Sequence, residues 1–213
     1  MIRKAILAFV FGLYGFSATA GPVTIAALGD SLTQGYGLAQ QDGFVPRLEN
    51  WLKEQGADVV LINAGVSGDT TAGGAARIDW TLTPDVDAVI VALGGNDLLR
   101  GIAPEVSRAN LDNILTATQA AQVDVLLIGV PAPGNYGAGY KDAFDAIYPE
   151  LATQFGTQYA QNFLSGVTGD NGRAKPGVMQ GDGIHPNAKG VTLIVEALGP
   201  AVLRLVRQVE ARE

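Results

Sequence analysis

Residues 23–32 read Val23-Thr24-Ile25-Ala26-Ala27-Leu28-Gly29-Asp30-Ser31-Leu32. Six uncharged, mostly apolar residues end abruptly in a glycine and two helix-capping side chains. A short continuous apolar run is how a strand buried on both faces reads. Asp and Ser suit the entry to a helix, because their oxygens accept from the free N–H groups there. Three more runs repeat the pattern: Val59-Val60-Leu61-Ile62, Val86-Asp87-Ala88-Val89-Ile90-Val91-Ala92-Leu93, and Val123-Asp124-Val125-Leu126-Leu127-Ile128-Gly129-Val130. Helical patterns lie between and after them. Phe44, Leu48, Trp51 and Leu52 share one helix face. Pro104 opens a helix to about residue 121, and another spans 141 to about 155, with Phe144, Ile147, Tyr148 and Leu151 on one side. The last starts after Pro186 and carries Val191, Ile194, Val195, Leu198, Leu203 and Val206. Alternating strands and helices specify an α/β fold, with a parallel sheet covered by helices on both faces and right-handed crossovers.

The first twenty residues stand apart. Arg3 and Lys4 precede an apolar run from Ala5 to Phe16, and Ala18 and Ala20 form an A-x-A site. This reads as a secretory signal peptide over residues 1–20, cut after Ala20, and places the protein in the periplasm or outside the cell. The apolar run is shorter than the roughly 20 residues a span requires, so no stable membrane insertion is expected after cleavage. Residues 21–213 are left, roughly 190, which suits one domain. They carry 12 basic and 21 acidic residues, a net charge of −9. That balance disfavours nucleic acid and gives no attraction to anionic lipid. No cysteine is present, so thiolate chemistry and disulfides are excluded.

Ligands of open parallel sheets bind beyond the carboxyl ends of the strands. There the four runs deliver Gly29-Asp30-Ser31-Leu32, Asn63-Ala64-Gly65-Val66-Ser67-Gly68-Asp69, Gly94-Gly95-Asn96-Asp97, and residues 131–140. The chain has a single histidine, His185. If a hydroxyl nucleophile needs an imidazole to take and return its proton near neutral pH, that base can only be His185. Ser31 directly follows a strand, where its hydroxyl can be exposed at a turn, although a simple helix cap would read the same way. Asn96 can donate its amide to an oxyanion, or be an ordinary turn asparagine. Gly68 can offer a backbone N–H to the same charge, or merely serve loop geometry. Asp182, three residues before His185, can hold one imidazole nitrogen while the other faces the serine, or cap a glycine-rich helix entry. Asp69 and Asp97 read as loop-shaping acids bonded to nearby backbone.

The segments Gly29-Asp30-Ser31-Leu32, Ser67-Gly68-Asp69, Gly94-Gly95-Asn96-Asp97 and Asp182-Gly183-Ile184-His185, in this order, resemble the sequence blocks of the SGNH (GDSL) hydrolase superfamily. The likeness covers essentially all of residues 21–213. Under it Ser31 is the nucleophile, with Asp182 and His185 as acid and base. Gly68 and Asn96 are the oxyanion donors, joined by the Ser31 N–H. Within the superfamily the chain is most similar to the secreted acyl-CoA thioesterase, lysophospholipase and arylesterase group. The strings Gly35-Tyr36-Gly37-Leu38, Val66-Ser67-Gly68-Asp69-Thr70, Leu99-Arg100-Gly101, Asn135-Tyr136-Gly137, Ala146-Ile147-Tyr148-Pro149 and Met179-Gln180 carry that similarity. The resemblance implies a three-layer α/β/α, flavodoxin-like sandwich, a monomer, and neither metal nor other cofactor. Two places depart from the group: Ala132, where relatives often carry a larger apolar residue, and the glycine-rich stretch 158–177.

The expected activity is hydrolysis of small-molecule acyl esters and thioesters (aryl esters, acyl-CoA, lysophospholipids) through an acyl-enzyme on Ser31. The 28 glycines, many in these loops, suggest an adaptable site taking varied apolar acyl groups. A carbohydrate O-acetylesterase on the same fold is the alternative within the class. A non-catalytic secreted binding module is the alternative outside it. An ordinary α/β-hydrolase is disfavoured because no G-x-S-x-G elbow occurs, and phosphate-loop and dinucleotide fingerprints are absent too.

Overall fold

The protein is described here from a computed structural model, over residues 21–169 and 172–212. The segment read as a signal peptide lies outside them. Five parallel strands form the central sheet: β1 (Val23–Gly29), β2 (Val59–Gly65), β3 (Ala88–Ala92), β4 (Asp124–Ile128) and β5 (Gln158–Ala160), in the order β2-β1-β3-β4-β5. The helices are α1 (Ser31–Gln34), α2 (Phe44–Glu54), α3 (Thr71–Thr81), α4 (Gly95–Leu99), α5 (Pro104–Ala120), α6 (Ala138–Phe155) and α7 (Ala188–Glu210), with two short 3-10 turns at Gln40–Asp42 and Gly134–Tyr136.

The period-2 alternation of strand side chains splits the apolar runs between two cores. Val23, Ile25 and Ala27 of β1, Ala88, Ile90 and Ala92 of β3, and Leu126 and Ile128 of β4 meet α2 and α7. Ala26 and Leu28, Val89 and Val91, and Val125 and Leu127 meet α3, α5 and α6. This is the expected three-layer α/β/α sandwich. Burial on both sides explains why β1, β3 and β4 show no polar face.

The second run behaves differently. It was read as buried on both faces, yet Val60 and Ile62 are each 41% exposed, while Val59 and Leu61 are buried. β2 is an edge strand paired only with β1, and α3 packs over β1 and α5. β5 escaped the sequence reading because it has three half-buried residues and no apolar run. α3 escaped it because only Ile78 supplies a large buried side chain in a helix interrupted by Gly73 and Gly74. The last helix begins after Pro186, at Ala188. Asn187 is its N-cap, accepting from Gly190 N–H at 3.0 Å. Pro186 lies outside the helix, in an antiparallel bridge with Met179.

The residues after β3 show how core packing aims the site. Gly94 has φ +121, and an added Cβ would stand 2.0 Å from the Tyr148 Oη. That hydroxyl is buried and donates to the Leu93 carbonyl at 2.9 Å. Burial pushes its pKa well up, so it stays a donor. Gly94→Ala therefore meets both a left-handed backbone and an occupied position. We expect it to cost about 2 kcal/mol or more, seen as a lower urea midpoint in equilibrium unfolding.

Candidate active site

Parallel pairing sets Gly29 level with Gly65 of β2 and with Ala92 of β3. The chain leaves all three strands at one end of the sheet, where the strand order reverses between β1 and β3, the place open α/β sheets use for ligands.

Ser31 is the first residue of α1. Asp30 caps that helix by accepting from Leu32 N–H at 3.0 Å. Beyond β2, Asp69 N–H bonds the Val66 carbonyl at 3.0 Å, closing a turn in which Gly68 has φ +85. Positive φ at the third position of such a turn favours glycine. The turn is tied to β1 by Val66 N–H on the Gly29 carbonyl at 3.0 Å, and Arg100 Nη2 donates to the Gly68 carbonyl at 2.9 Å. Asn96 sits in the first turn of α4.

Asp97, wholly buried, anchors α4 from behind. It accepts from Thr71 N–H at 2.9 Å, Thr71 Oγ1 at 2.6 Å and Ser107 Oγ at 2.9 Å. A hydrogen bond to a charged group is worth about 1.5–3 kcal/mol, so three donors are on the scale needed to offset desolvation of several kcal/mol. Asp69 pairs with Arg77, Nε to Oδ2 at 2.7 Å. Neither acid bonds His185, but their partners differ from the nearby backbone expected from the sequence: Asp69 holds the Arg77 side chain, and Asp97 holds two hydroxyls and one N–H from α3 and α5.

Asp182 and His185 come from a loop pinned at its base. Asn187 N–H bonds the Val178 carbonyl at 2.9 Å and Gln180 N–H the His185 carbonyl at 2.8 Å. At the tip, Asp182 Oδ1 accepts from the N–H groups of Ile184 at 2.9 Å and His185 at 3.0 Å. Its Oδ2 stands 2.7 Å from His185 Nδ1, and His185 Nε2 stands 2.9 Å from Ser31 Oγ. The His185 N–H, then the imidazole and the Ile184 N–H, draw the Asp182 carboxyl down to about 2. It is therefore ionised throughout the neutral range. The residue pair 154 positions apart in sequence is thus brought into hydrogen-bond contact.

Four of the five expected residues, Ser31, Gly68, Asn96 and His185, line one cleft of about 560 Å³ together with Leu98, Leu99, Val130, Pro133, Tyr136, Leu164 and Ile184. Asp182 stands behind His185. Val130 and Pro133 belong to the loop around Ala132, and Leu164 belongs to the stretch 158–177, so both departures from the group border the cleft. Ala132 is held from outside: its N–H donates to Asp145 Oδ1 at 2.7 Å, and its carbonyl accepts from Lys141 Nζ at 2.7 Å. Among the described residues no group of three or more His, Cys, Asp or Glu is arranged to hold a metal.

Four neighbours were given no part in the chemistry from the sequence. Tyr36 places its ring 4.7 Å from that of His185. Gln180 Nε2 donates to the Tyr36 carbonyl at 2.8 Å and the Pro186 carbonyl at 3.0 Å, joining the loop after α1 to the histidine loop. Arg77 donates to the Ala64 carbonyl at 2.7 Å and the Gly29 carbonyl at 3.0 Å, lacing β2 to β1 at the site. Asp30 is 5% exposed, and its Oδ2 accepts from Asn96 Nδ2 at 3.4 Å. Burial raises its carboxyl to about 6, against the lowering effects of the Leu32 N–H, the His185 charge and the Asn96 amide. Tyr36 and Gln180 lie in strings that carry the family resemblance but pointed to no contact, Arg77 left no signal, and Asp30 left only its adjacency to Ser31, which reads equally well as a helix cap.

The GDSL-like Lipase/Acylhydrolase family profile matches residues 27–193. Esterase TesA of Pseudomonas aeruginosa is 36% identical over 206 residues, covering 96% of this chain and 100% of that protein. Thioesterase 1/protease 1/lysophospholipase L1 of Escherichia coli is 37% identical over 202 residues, covering 94% and 93%. The crystal structure of AlinE4, a SGNH-hydrolase family esterase, superposes with a TM-score of 0.72 at 43% identity, covering 88% of this chain and 98% of the other. The fold is that of an SGNH-type ester hydrolase. The chain belongs to the GDSL-like lipase/acylhydrolase family.

Arg77 gives the site a stability test of its own. Its three bonds are made by a side chain only 23% exposed. We expect Arg77→Ala to leave the Asp69 carboxylate and two carbonyls without this partner, costing about 2–3 kcal/mol. Urea unfolding reads the loss, and an unchanged midpoint would show that the lacing is idle.

Proposed function

We propose that the protein hydrolyses carboxylic esters and acyl thioesters by transferring the acyl group to Ser31 and then to water. The observation that carries this reading is the continuous line from Ser31 Oγ to His185 Nε2 at 2.9 Å and from His185 Nδ1 to Asp182 Oδ2 at 2.7 Å. With Asp182 accepting at Nδ1, the neutral imidazole keeps its proton there and presents a lone pair to the serine. His185 takes the Ser31 proton as the oxygen adds to the carbonyl carbon. The negative charge forming on the carbonyl oxygen is met by the N–H groups of Ser31 and Gly68 and by the Asn96 amide. Collapse expels the alcohol or thiol, protonated by His185. Water, deprotonated by the same imidazole, then releases the acid.

The apolar wall from Leu98, Leu99 and Tyr136 to Leu164 and Ile184 favours a hydrophobic acyl group over the short acetyl of an acetylated sugar. Aryl esters, acyl-CoA and lysophospholipids are the substrate classes proposed. We further propose that residues 1–20 direct export and are removed after Ala20. Residues 21–213 then act as one monomeric domain in the periplasm or outside the cell. Among the described residues no helix is long and apolar enough to cross a membrane.

An alkylphosphonate ester should add covalently to the wild-type protein and not to Ser31→Ala, as read by intact mass. Hydrolysis of p-nitrophenyl esters by Ser31→Ala and His185→Ala should fall by about 10⁴-fold or more. Turnover retained by a folded Ser31→Ala protein would remove the nucleophile. A panel of aryl esters and acyl-CoAs of graded length, lysophospholipid and acetylated sugar separates the substrate classes. Preference for the sugar acetate would favour the O-acetylesterase.

A further inference from the structure

We infer that Asp30 is a positioning residue for the oxyanion site, one whose second carboxylate oxygen determines which end of the Asn96 amide faces the cleft. This rests on the reading of Asn96 as an oxyanion donor made above.

A side-chain amide has two ends of nearly equal size and opposite polarity. With the nitrogen toward the cleft, Asn96 stabilises a developing oxyanion. Turned over, it presents a carbonyl oxygen to the same charge and repels it. The difference must come from a partner that tolerates only one end. An ionised carboxylate is acceptor-only, so the Asn96 group facing Asp30 Oδ2 at 3.4 Å is the NH2. One of its hydrogens is then engaged, and the second is left for the cleft that Asn96 lines with Ser31. The other Asp30 oxygen accepts from Leu32 N–H at 3.0 Å and caps the helix that begins at Ser31. One carboxylate therefore sets both the turn of the nucleophile and the sense of an oxyanion donor, across 66 positions of sequence.

Stability does not account for this choice of residue. Asp30 is 5% exposed, and no Lys or Arg ion pair with it occurs among the described residues. Asn would cap the helix about equally well without burying a charge. Burial lifts the folded carboxyl from 3.8 to about 6, so the folded state holds the proton more tightly than the unfolded one. Stability from this group consequently falls as pH rises from about 4 to about 6, and the cost of the charge is fully present above that. What Asn cannot supply is an acceptor on both sides. With its oxygen on Leu32 N–H, its NH2 would confront the Asn96 NH2 and favour the flipped amide.

The test is a cycle of Asp30→Asn, Asn96→Ala and the double variant in the full mature chain, with kcat and KM for an aryl ester and urea midpoints at pH 8. We expect Asp30→Asn to lower kcat by about 10²-fold, the scale of one lost oxyanion donor, with KM little changed and a midpoint no lower than wild type. The double variant should be about as slow as Asn96→Ala alone, because Asp30 acts through Asn96. Asp30→Ser keeps a capping oxygen but cannot reach Asn96. It should show the same coupling, and serves if Asp30→Asn does not fold. Near-wild-type kcat in folded Asp30→Asn overturns the inference. So does a loss that multiplies in full with that of Asn96→Ala, while the oxyanion role of Asn96 survives. Unchanged kcat in Asn96→Ala would instead overturn that role, and this inference with it.

Discussion

The site depends on the register of three parallel strands. Gly29 is level with Gly65 on one side and with Ala92 on the other. Ser31, Gly68 and Asn96 follow those positions by two, three and four residues, so they emerge together at one rim. Because strand side chains alternate, a slip of one residue would turn the buried faces of β1 and β3 toward the wrong layer. The two cores therefore enforce the register, and the register delivers the three loops. His185 and Asp182 are independent of this arrangement. They arrive from the far end of the chain on a loop braced by Gln180 and stopped by the Asn187 cap.

Polar groups behind the rim turn this placement into geometry. Asp97 gathers Thr71 and Ser107 so that α4 stands still. Arg77 laces two strand ends, and Arg100 holds the Gly68 turn. The carboxylates divide by environment. Asp182 is held ionised by two backbone N–H groups and an imidazole, whereas Asp30 is pushed upward by burial. The first holds the His185 imidazole. The second is a charge carried at some cost to stability, the pattern expected where a local rule gives way to function.

The strands buried on both faces were legible because continuous β-branched and apolar runs have few other uses. Helices α2, α5, α6 and α7 were legible from their apolar stripes. β2 was found, but its exposed face was not foreseen: an edge strand and a central strand share the same short apolar string, and only the neighbour decides. α3 and β5 left no periodic signal, since close packing and a single strand pairing hold them. His185 stood out because it is the chain's single histidine, Ser31 because it directly follows a buried strand, and Asp182 because it stands three residues before His185. Arg77, Gln180 and the Asp30–Asn96 contact were not, because each bonds groups 6 to 144 positions away.

From its own letters the chain determined the α/β class, the absence of any thiol, the one residue able to serve as an imidazole base, and the strand-end segments that could join it. These follow from local periodicity and composition, which need no knowledge of what lies across the molecule. Tertiary structure alone decided that Asp182 faces Nδ1 and Ser31 faces Nε2 of His185, that apolar side chains from α4, from the loops after β4 and β5 and from the histidine loop close one cleft, and that Asp30 meets Asn96. Those are long-range contacts, set by how two cores pack against one sheet, and hydrogen-bond direction appears only when both partners have been brought into place.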